Sequence, residues 1–148
     1  MLIPDANVLI YAFRKEFAQH LTAHAWLLRT LAGKETVGLT VPVELAFLRL
    51  MTKPLGELTE APWGVAWAFI DALIQAPVVC RVHAGSDHSA IFAALCSRAG
   101  KVGDQVTDLY LAALAIERHA TLISADKEFE RVAGLKWINL LDTGSNCV

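Results

Sequence analysis

Short β-prone runs alternate with longer stretches of helical periodicity from one end of the chain to the other. Residues 2–4 can form a short strand, after which Leu9, Ala12 and Phe13 follow helical spacing. A second helix is expected over about 17–32, where Leu21, Ala25, Leu28 and Ala32 recur on one apolar face. Residues 36–41 are β-branched and predict a second strand. Pro42 then suits the first turn of a helix carrying Leu45, Leu48 and Met51. Lys53-Pro54-Leu55-Gly56 is a break, and Pro62 opens another helix in which Trp63, Ala66, Trp67, Ile70 and Ile74 keep helical spacing until Pro77. Residues 78–82 predict a third strand, and Ser86-Asp87 can cap a helix that ends near Gly100. A helix over 108–119, a strand over 121–124 and a fifth strand over 136–140 complete the series. Strands separated by helices imply right-handed crossovers. The fold class is therefore α/β, with a central, mainly parallel sheet flanked by helices on both faces. No repeat or linker divides the chain, so residues 1–148 read as one domain.

Composition narrows the classes that remain. The 148 residues are 55% hydrophobic and 19% charged, which excludes a disordered chain and allows a substantial core. The longest uncharged apolar runs, such as 109–116, are too short for a bilayer, and the opening residues lack the basic n-region of a signal peptide. Cys80, Cys96 and Cys147 are widely spread and show no Cys-x-x-Cys spacing, so they read as buried thiols of a cytoplasmic protein without membrane contact. A formal net charge of −2 gives no overall basic footprint for nucleic acid. Any such footprint must be local, and Arg14 with Lys15, Arg49 with Lys53, and Arg98 with Lys101 are the candidates. Each pair is equally well explained as a solvated face.

The acidic positions carry more information. In an open parallel sheet, sites lie beyond the carboxyl ends of the strands. Asp5 directly follows the first predicted strand, Glu44 comes three residues after the second, and Asp126 two residues after the fourth. Asp108 opens the helix that leads into that fourth strand. Four carboxylates from distant segments are thus directed toward one rim. Each alone could be a helix cap or a first-turn acid. Together they form an unfavourable arrangement, since two like charges at about 4 Å repel by roughly 4 kcal/mol at an effective dielectric near 20. Such a cluster must take up protons or a cation, and all-oxygen ligands favour Mg²⁺ or Mn²⁺ over zinc. Phosphodiester hydrolysis is the chemistry that equipment suits.

These segments resemble the motifs of PIN-domain ribonucleases. Ile3-Pro4-Asp5-Ala6-Asn7-Val8-Leu9 is similar to the first motif, and Pro42-Val43-Glu44 with Phe47-Leu48-Arg49-Leu50 to the second. Thr107-Asp108-Leu109-Tyr110 through Ala115 is similar to the third, and Ala120 through Phe129, containing Ser124-Ala125-Asp126, to the fourth. Gly134 through Asn139 resembles the closing segment of the VapC toxins within that family. The resemblance runs in order over nearly the whole chain. It implies a Mg²⁺- or Mn²⁺-dependent endoribonuclease that cuts RNA to leave a 3′-hydroxyl and a 5′-phosphate. It also implies inactivation by a cognate VapB antitoxin, and a homodimer. By motif position Asp5, Glu44, Asp108 and Asp126 take the catalytic and metal-binding roles, with Asn7 and Ser124 in support. The helices within 18–32 and 42–50 are the expected antitoxin groove, on account of their apolar content. Three departures stand out: Asp104 where relatives often carry Asn, Glu128 for a frequent Asp, and Arg118-His119-Ala120 without the usual helix-ending Gly.

Rival readings have weaker footing. His20 and His24 are spaced for zinc on a helix, but no nearby Cys completes a site. His83, Asp87 and His88 form no triad with a serine, and no nucleophile elbow is present. A haloacid-dehalogenase-like phosphotransferase would place a second Asp two residues after the first, where this chain has Asn7. A catalytically silent RNA- or partner-binding module of PIN type is the remaining alternative.

Overall fold

Five strands, β1 (Leu2–Pro4), β2 (Val37–Thr40), β3 (Val79–Val82), β4 (Thr121–Ser124) and β5 (Lys136–Asn139), lie side by side in the order β3-β2-β1-β4-β5. They belong to a computed structural model that describes residues 1–144. Every strand pairing is parallel, so the sheet is more uniform than the sequence pattern required. β2 is buried at all four positions, whereas the edge strands β3 and β5 expose side chains, as expected when helices cover a parallel sheet at its centre.

Six helices connect the strands among the described residues: α1 (Ala6–Phe13), α2 (His20–Leu31), α3 (Val41–Met51), α4 (Trp63–Gln75), α5 (His88–Ala99) and α6 (Val106–Glu117). The chain steps from β1 to β2 to β3 in one direction and then jumps back past β1 to β4. With right-handed crossovers, α1 to α4 cover one face and the packed pair α5 and α6 the other. Ile3, Leu39, Leu122 and Ile123 from the central strands meet Val8, Leu9, Phe47 and Ile70 from the helices in the core. Phe13, Phe47 and Phe69 pack ring against ring, with centroids 5.1–5.4 Å apart. No described helix is long and apolar enough to cross a membrane.

Several helical faces differ from those the spacing predicts. In α2 the buried residues are Ala23, Trp26 and Leu27, whereas Leu21 and Leu28 are 80% and 55% exposed. In α3 Leu48 and Met51 are buried as expected but Leu45 is exposed, and in α4 Ala66, Ile70 and Leu73 face the core while Trp63 and Trp67 stack on each other outside. The physical reason is common to all three. These helices carry apolar side chains on more than one stripe, so periodicity alone picks out a face without saying which is covered. Cys80 is exposed and Cys96 half-buried, against the expectation of buried thiols, and Cys147 lies outside the described residues.

The cap of α5 also departs from expectation. Asp87 makes no side-chain cap. Instead Glu117, at the end of α6, accepts hydrogen bonds from the backbone N–H groups of Gly85, Asp87 and His88 at 2.8, 3.0 and 2.9 Å. Those bonds hold its carboxyl below the usual carboxylate range. A side chain at position 85 would reach within 2.6 Å of Glu117 Oε1, so glycine is what allows the carboxylate to approach. One acid thereby satisfies the free N–H groups of one helix from the C-terminus of another, and locks α5 to α6.

At the opposite side of that junction, α6 closes on a left-handed residue. The Ala120 N–H donates to Ala115 O at 2.9 Å and the His119 N–H to Ile116 O at 3.1 Å, while His119 adopts φ 50°. Helix endings of this kind favour Gly at the left-handed position, and an L side chain there costs about 1 kcal/mol. His119→Gly is therefore expected to raise stability by about 0.5 kcal/mol, after the larger entropy of the unfolded glycine chain is offset. Urea unfolding of parent and variant measures this, and a loss of stability in the variant would contradict the strained reading of His119.

Candidate active site

The order of the strands makes β1 the point at which the chain reverses direction across the sheet, with β2 on one side and β4 on the other. A crevice opens beyond the carboxyl ends at such a point. Asp5 leaves β1 there and Asp126 leaves β4 there. Asp5 N–H donates to Ile123 O at 2.9 Å, which continues the β1–β4 ladder by one residue and fixes where the Asp5 side chain begins.

A network of short polar bonds then orients that side chain. Asp5 Oδ1 accepts from the Ala6 N–H at 2.6 Å, as a cap of α1. Its Oδ2 accepts from Asn7 Nδ2 at 2.7 Å and from the Ser124 hydroxyl at 2.7 Å. Asn7 Nδ2 also donates to Ser124 Oγ at 2.9 Å, and Asn7 Oδ1 accepts from the Ala125 N–H at 3.2 Å. Ser124 Oγ accepts in turn from the Asp126 N–H at 3.0 Å. The fully buried Ser124 is thus a hub between the two strand ends. Asp126 Oδ1 caps the 3-10 turn Lys127–Arg131 by accepting from the Glu128 N–H at 2.9 Å.

Asp108 arrives from the other face, in the first turn of α6, two residues later in that helix than the sequence pattern placed it. Its carboxyl is pushed up to about 6, first by burial and then by the charges of Asp5, Asp126 and Glu128. Asp5 is also raised above the ordinary carboxylate range, because burial and the Asp126 charge outweigh the hydrogen bonds from Ser124 and Ala6. Asp5, Asp108, Asp126 and Glu128 therefore share one field. Asp104 sits exposed on the 3-10 turn Gly103–Gln105 that precedes α6.

Glu44 stands apart from that group. It is buried in the first turn of α3, and both of its oxygens are held by Arg81: Nε donates to Oε1 at 3.1 Å and Nη2 to Oε2. Arg81 was not singled out from the sequence. Its signal lies in the strand register, where Arg81 pairs with Leu39 near the end of β2 and so faces the start of α3. Sequence reasoning left Glu128 open, and the fold brings it beside Asp108.

The donor set suits a hard divalent cation. Three aspartates and a glutamate with raised or mutually opposed charges offer only oxygen, and no cationic side chain is bonded to Asp5, Asp108 or Asp126 among the described residues. No three His, Cys, Asp or Glu side chains among them close tightly round a single point. The fit to Mg²⁺ therefore rests on the all-oxygen donor chemistry, since that ion keeps several waters and can be held by one or two carboxylates together with phosphate oxygens. His20 and His24 do not form a zinc site: their ring centroids are 5.2 Å apart, and His20 Nδ1 lies 2.9 Å from Tyr11 O.

Comparison with known proteins agrees with this geometry. The PIN domain model matches residues 2–135. Ribonuclease VapC33 of Mycobacterium tuberculosis is 38% identical over 141 residues, covering 95% of this chain and 99% of that protein. The chain belongs to the PIN-domain family, among the VapC proteins. Ribonuclease VapC43 of the same organism is 35% identical over 142 residues, covering 96% of this chain and 97% of the relative. The fold of this VapC-family chain is also that of VapBC2 from Rickettsia felis, solved bound to a promoter DNA fragment, with a TM-score of 0.68 at 15% identity over 93% of this chain and 97% of that one. The sarcin-ricin loop-cleaving toxin VapC20 of Mycobacterium tuberculosis superimposes with a TM-score of 0.63 at 14% identity, over 90% of this chain and 95% of that one.

The raised carboxyls of this PIN domain give a signed expectation. A folded pKa of about 6 against an ordinary value of 3.8 means that folded Asp108 holds its proton more tightly than the unfolded chain does. Metal-free stability therefore falls as pH rises through that window. Asp108→Asn removes this loss, and is expected to stabilise the metal-free protein at pH 7.5 by about 1–2 kcal/mol, after allowance for solvent screening, and to have little effect near pH 4. Thermal melts in EDTA at both pH values measure it, and equal destabilisation at both would contradict the shared field.

Proposed function

We propose that this chain is a Mg²⁺- or Mn²⁺-dependent endoribonuclease, the toxin of a VapBC pair, acting on cytoplasmic RNA. The observation that carries the reading is the meeting of Asp5, Asp108 and Asp126 at the rim beyond β1 and β4, with Asp5 and Asp108 raised by burial and mutual repulsion. Names of relatives such as Ribonuclease VapC33 support it from outside the chain.

In this reading Asp5, Asp108 and Asp126 are the catalytic and metal-binding acids, whereas Glu44, expected from its motif position to join them, has both oxygens on Arg81 and stands outside that ligand set. A divalent ion bound among them supplies charge stabilisation at the phosphodiester oxygens and a water of lowered pKa. Asp5 is held in one orientation by Ser124, Asn7 and the Ala6 N–H, so no reorganisation of its carboxylate is needed during the reaction. Asp126 keeps Oδ1 on the Glu128 N–H, which orients its carboxylate at the end of β4. Asp108, with its pKa of about 6, can hold or release a proton near neutral pH and so suits deprotonation of the attacking water. Glu44 acts through its bidentate pair with Arg81, as a fixed negative charge at the start of α3. Attack by water with departure of the 3′-oxygen leaves a 3′-hydroxyl and a 5′-phosphate.

The partner surface follows from the helical faces that the core leaves uncovered. Leu21 and Leu28 of α2 and Leu45 of α3 are exposed apolar side chains within the segments 18–32 and 42–50. They are the proposed groove for a VapB antitoxin, which would bury them by an apolar helix or strand. Solved neighbours include toxin–antitoxin complexes, one of them from Klebsiella pneumoniae. A homodimer is proposed for the free toxin.

Digestion of total cellular RNA with Mn²⁺, and with EDTA in its place, tests the activity. Cleavage is expected only with Mn²⁺ and at ends that carry 5′-phosphate. Asp5→Asn should slow it by on the order of 100-fold or more under matched Mn²⁺. Asp5→Asn cutting at the parent rate would refute the assignment.

A further inference from the structure

We infer that a cleft beside the acidic rim is a nucleotide subsite, which takes one unpaired RNA nucleotide next to the scissile phosphate. Arg98 and Arg131 hold its phosphate in this arrangement, and the base lies on the apolar floor. The inference rests on the ribonuclease reading.

The cleft has a volume of about 290 Å³. Leu95, Leu109, Phe129 and Val132 give it an apolar floor, with Arg98 and Arg131 also on its lining. Asp108 and Glu128 line the same cleft, so it opens directly onto the proposed catalytic carboxylates. Its size lies near the lower end of ligand pockets, which run from about 300 to 1,000 Å³, and suits a single nucleotide better than a stacked run. Single-stranded RNA is read by splaying bases onto apolar and planar surfaces, which is what such a floor offers.

The electrostatics demand cations here. A chain of net charge −2 that gathers Asp5, Asp108, Asp126 and Glu128 at one rim repels an RNA backbone unless positive charge stands close by. Arg14, another basic candidate, has its guanidinium on Thr59 O at 2.8 Å and beside Glu16. Arg98 and Arg131 are exposed and enter no ion pair among the described residues. Both are tied to the site by local geometry. Arg98 is one turn from Leu95 on α5, with the small Ala99 beside it keeping the cleft open. Arg131 ends the 3-10 turn that Asp126 caps, so the segment bearing a catalytic acid also bears the phosphate-binding guanidinium. The Gln105 amide donates to Glu128 Oε2 at 3.1 Å and ties two residues of the cleft lining together.

The test is steady-state cleavage of a single-stranded RNA oligonucleotide of mapped cut site, with Mn²⁺, at several salt concentrations. Four full-length proteins are compared: the parent, R98Q/R131Q, Ala99→Leu and the control K34Q/K136Q. The control removes two exposed charges that are not part of the cleft lining, on the loop after α2 and on β5. For R98Q/R131Q, KM is expected to rise about 10-fold with kcat within about twofold, and the salt slope of log KM to fall by about 0.7 for the one phosphate no longer neutralised. Ala99→Leu, which narrows the cleft at an exposed position, should raise KM without changing the salt slope. Parent-like KM in both cleft variants, or an equal rise in the control, overturns the subsite and leaves the ribonuclease reading standing. A parent protein that cuts no RNA with Mn²⁺ overturns both.

Discussion

Mutual repulsion among carboxylates at one rim of a parallel sheet is the constraint on which the rest of this molecule depends. Asp5, Asp108 and Asp126 come from segments far apart in sequence, and each is charged in the unfolded chain at neutral pH. Burying them and bringing them together costs free energy, which appears as the upward displacement of the Asp5 and Asp108 carboxyls, first through desolvation and then through their like charges. The core and the backbone of the strands hold the arrangement in place. Asp5 extends the β1–β4 ladder, Ser124 is sealed beneath it, and α6 delivers Asp108 from a helix pinned to α5 by Glu117. A fold that stores repulsion in this way has a standing preference for whatever neutralises it, a proton or a divalent cation.

The polar groups around the acids divide the work among three kinds of contact. Ser124 and Asn7 orient Asp5 without adding charge, which keeps the field negative while fixing its direction. Arg81 does the opposite for Glu44, pairing with both oxygens of an acid that is otherwise buried. A buried carboxylate that lost this partner would be left uncompensated, so Arg81 is the partner that satisfies Glu44 inside the first turn of α3. Farther out, Arg98 and Arg131 line the cleft that opens from Asp108 and Glu128 and enter no ion pair among the described residues. On the proposed reading, negative charge thus concentrates where a cation would bind, and positive charge where an RNA backbone would run.

Much of this was legible from the residues alone, and the reasons are specific. Strand positions were readable because β-branched runs alternate with helices, and a parallel sheet sends the ends of β1 and β4 to the same crevice. That directs Asp5 and Asp126 toward one rim from the sequence alone, while the adjacency of β1 and β4 is evident only in the fold. Three features were hidden because they depend on long-range pairing. The Glu44–Arg81 contact closes 37 residues across the β2-to-β3 crossover, and its clue is only the alternation of side chains on β3. Glu117 caps a helix that begins 29 residues earlier, displacing the local candidates Ser86 and Asp87. The faces of α2 and α4 were misread because Leu21, Leu28, Trp63 and Trp67 are apolar and spaced like core residues yet stay outside. Such surplus stripes are invisible to a periodicity argument and visible to a partner. His119 is the converse case, a residue whose unusual φ follows from the helix ending that surrounds it and not from its own preference.

The most direct test of the central claim is thermal melting of the EDTA-stripped protein as Mn²⁺ is added, at pH 7.5 and again at pH 5. If repulsion among these carboxylates is what a cation relieves, Mn²⁺ stabilises the fold at pH 7.5, by about 2.7 kcal/mol at a hundredfold excess over its Kd. At pH 5 most of that gain disappears, because Asp108 with its pKa of about 6 already carries a proton that the ion must displace. An absence of Mn²⁺ stabilisation at pH 7.5, or the same stabilisation at both pH values, would contradict the account.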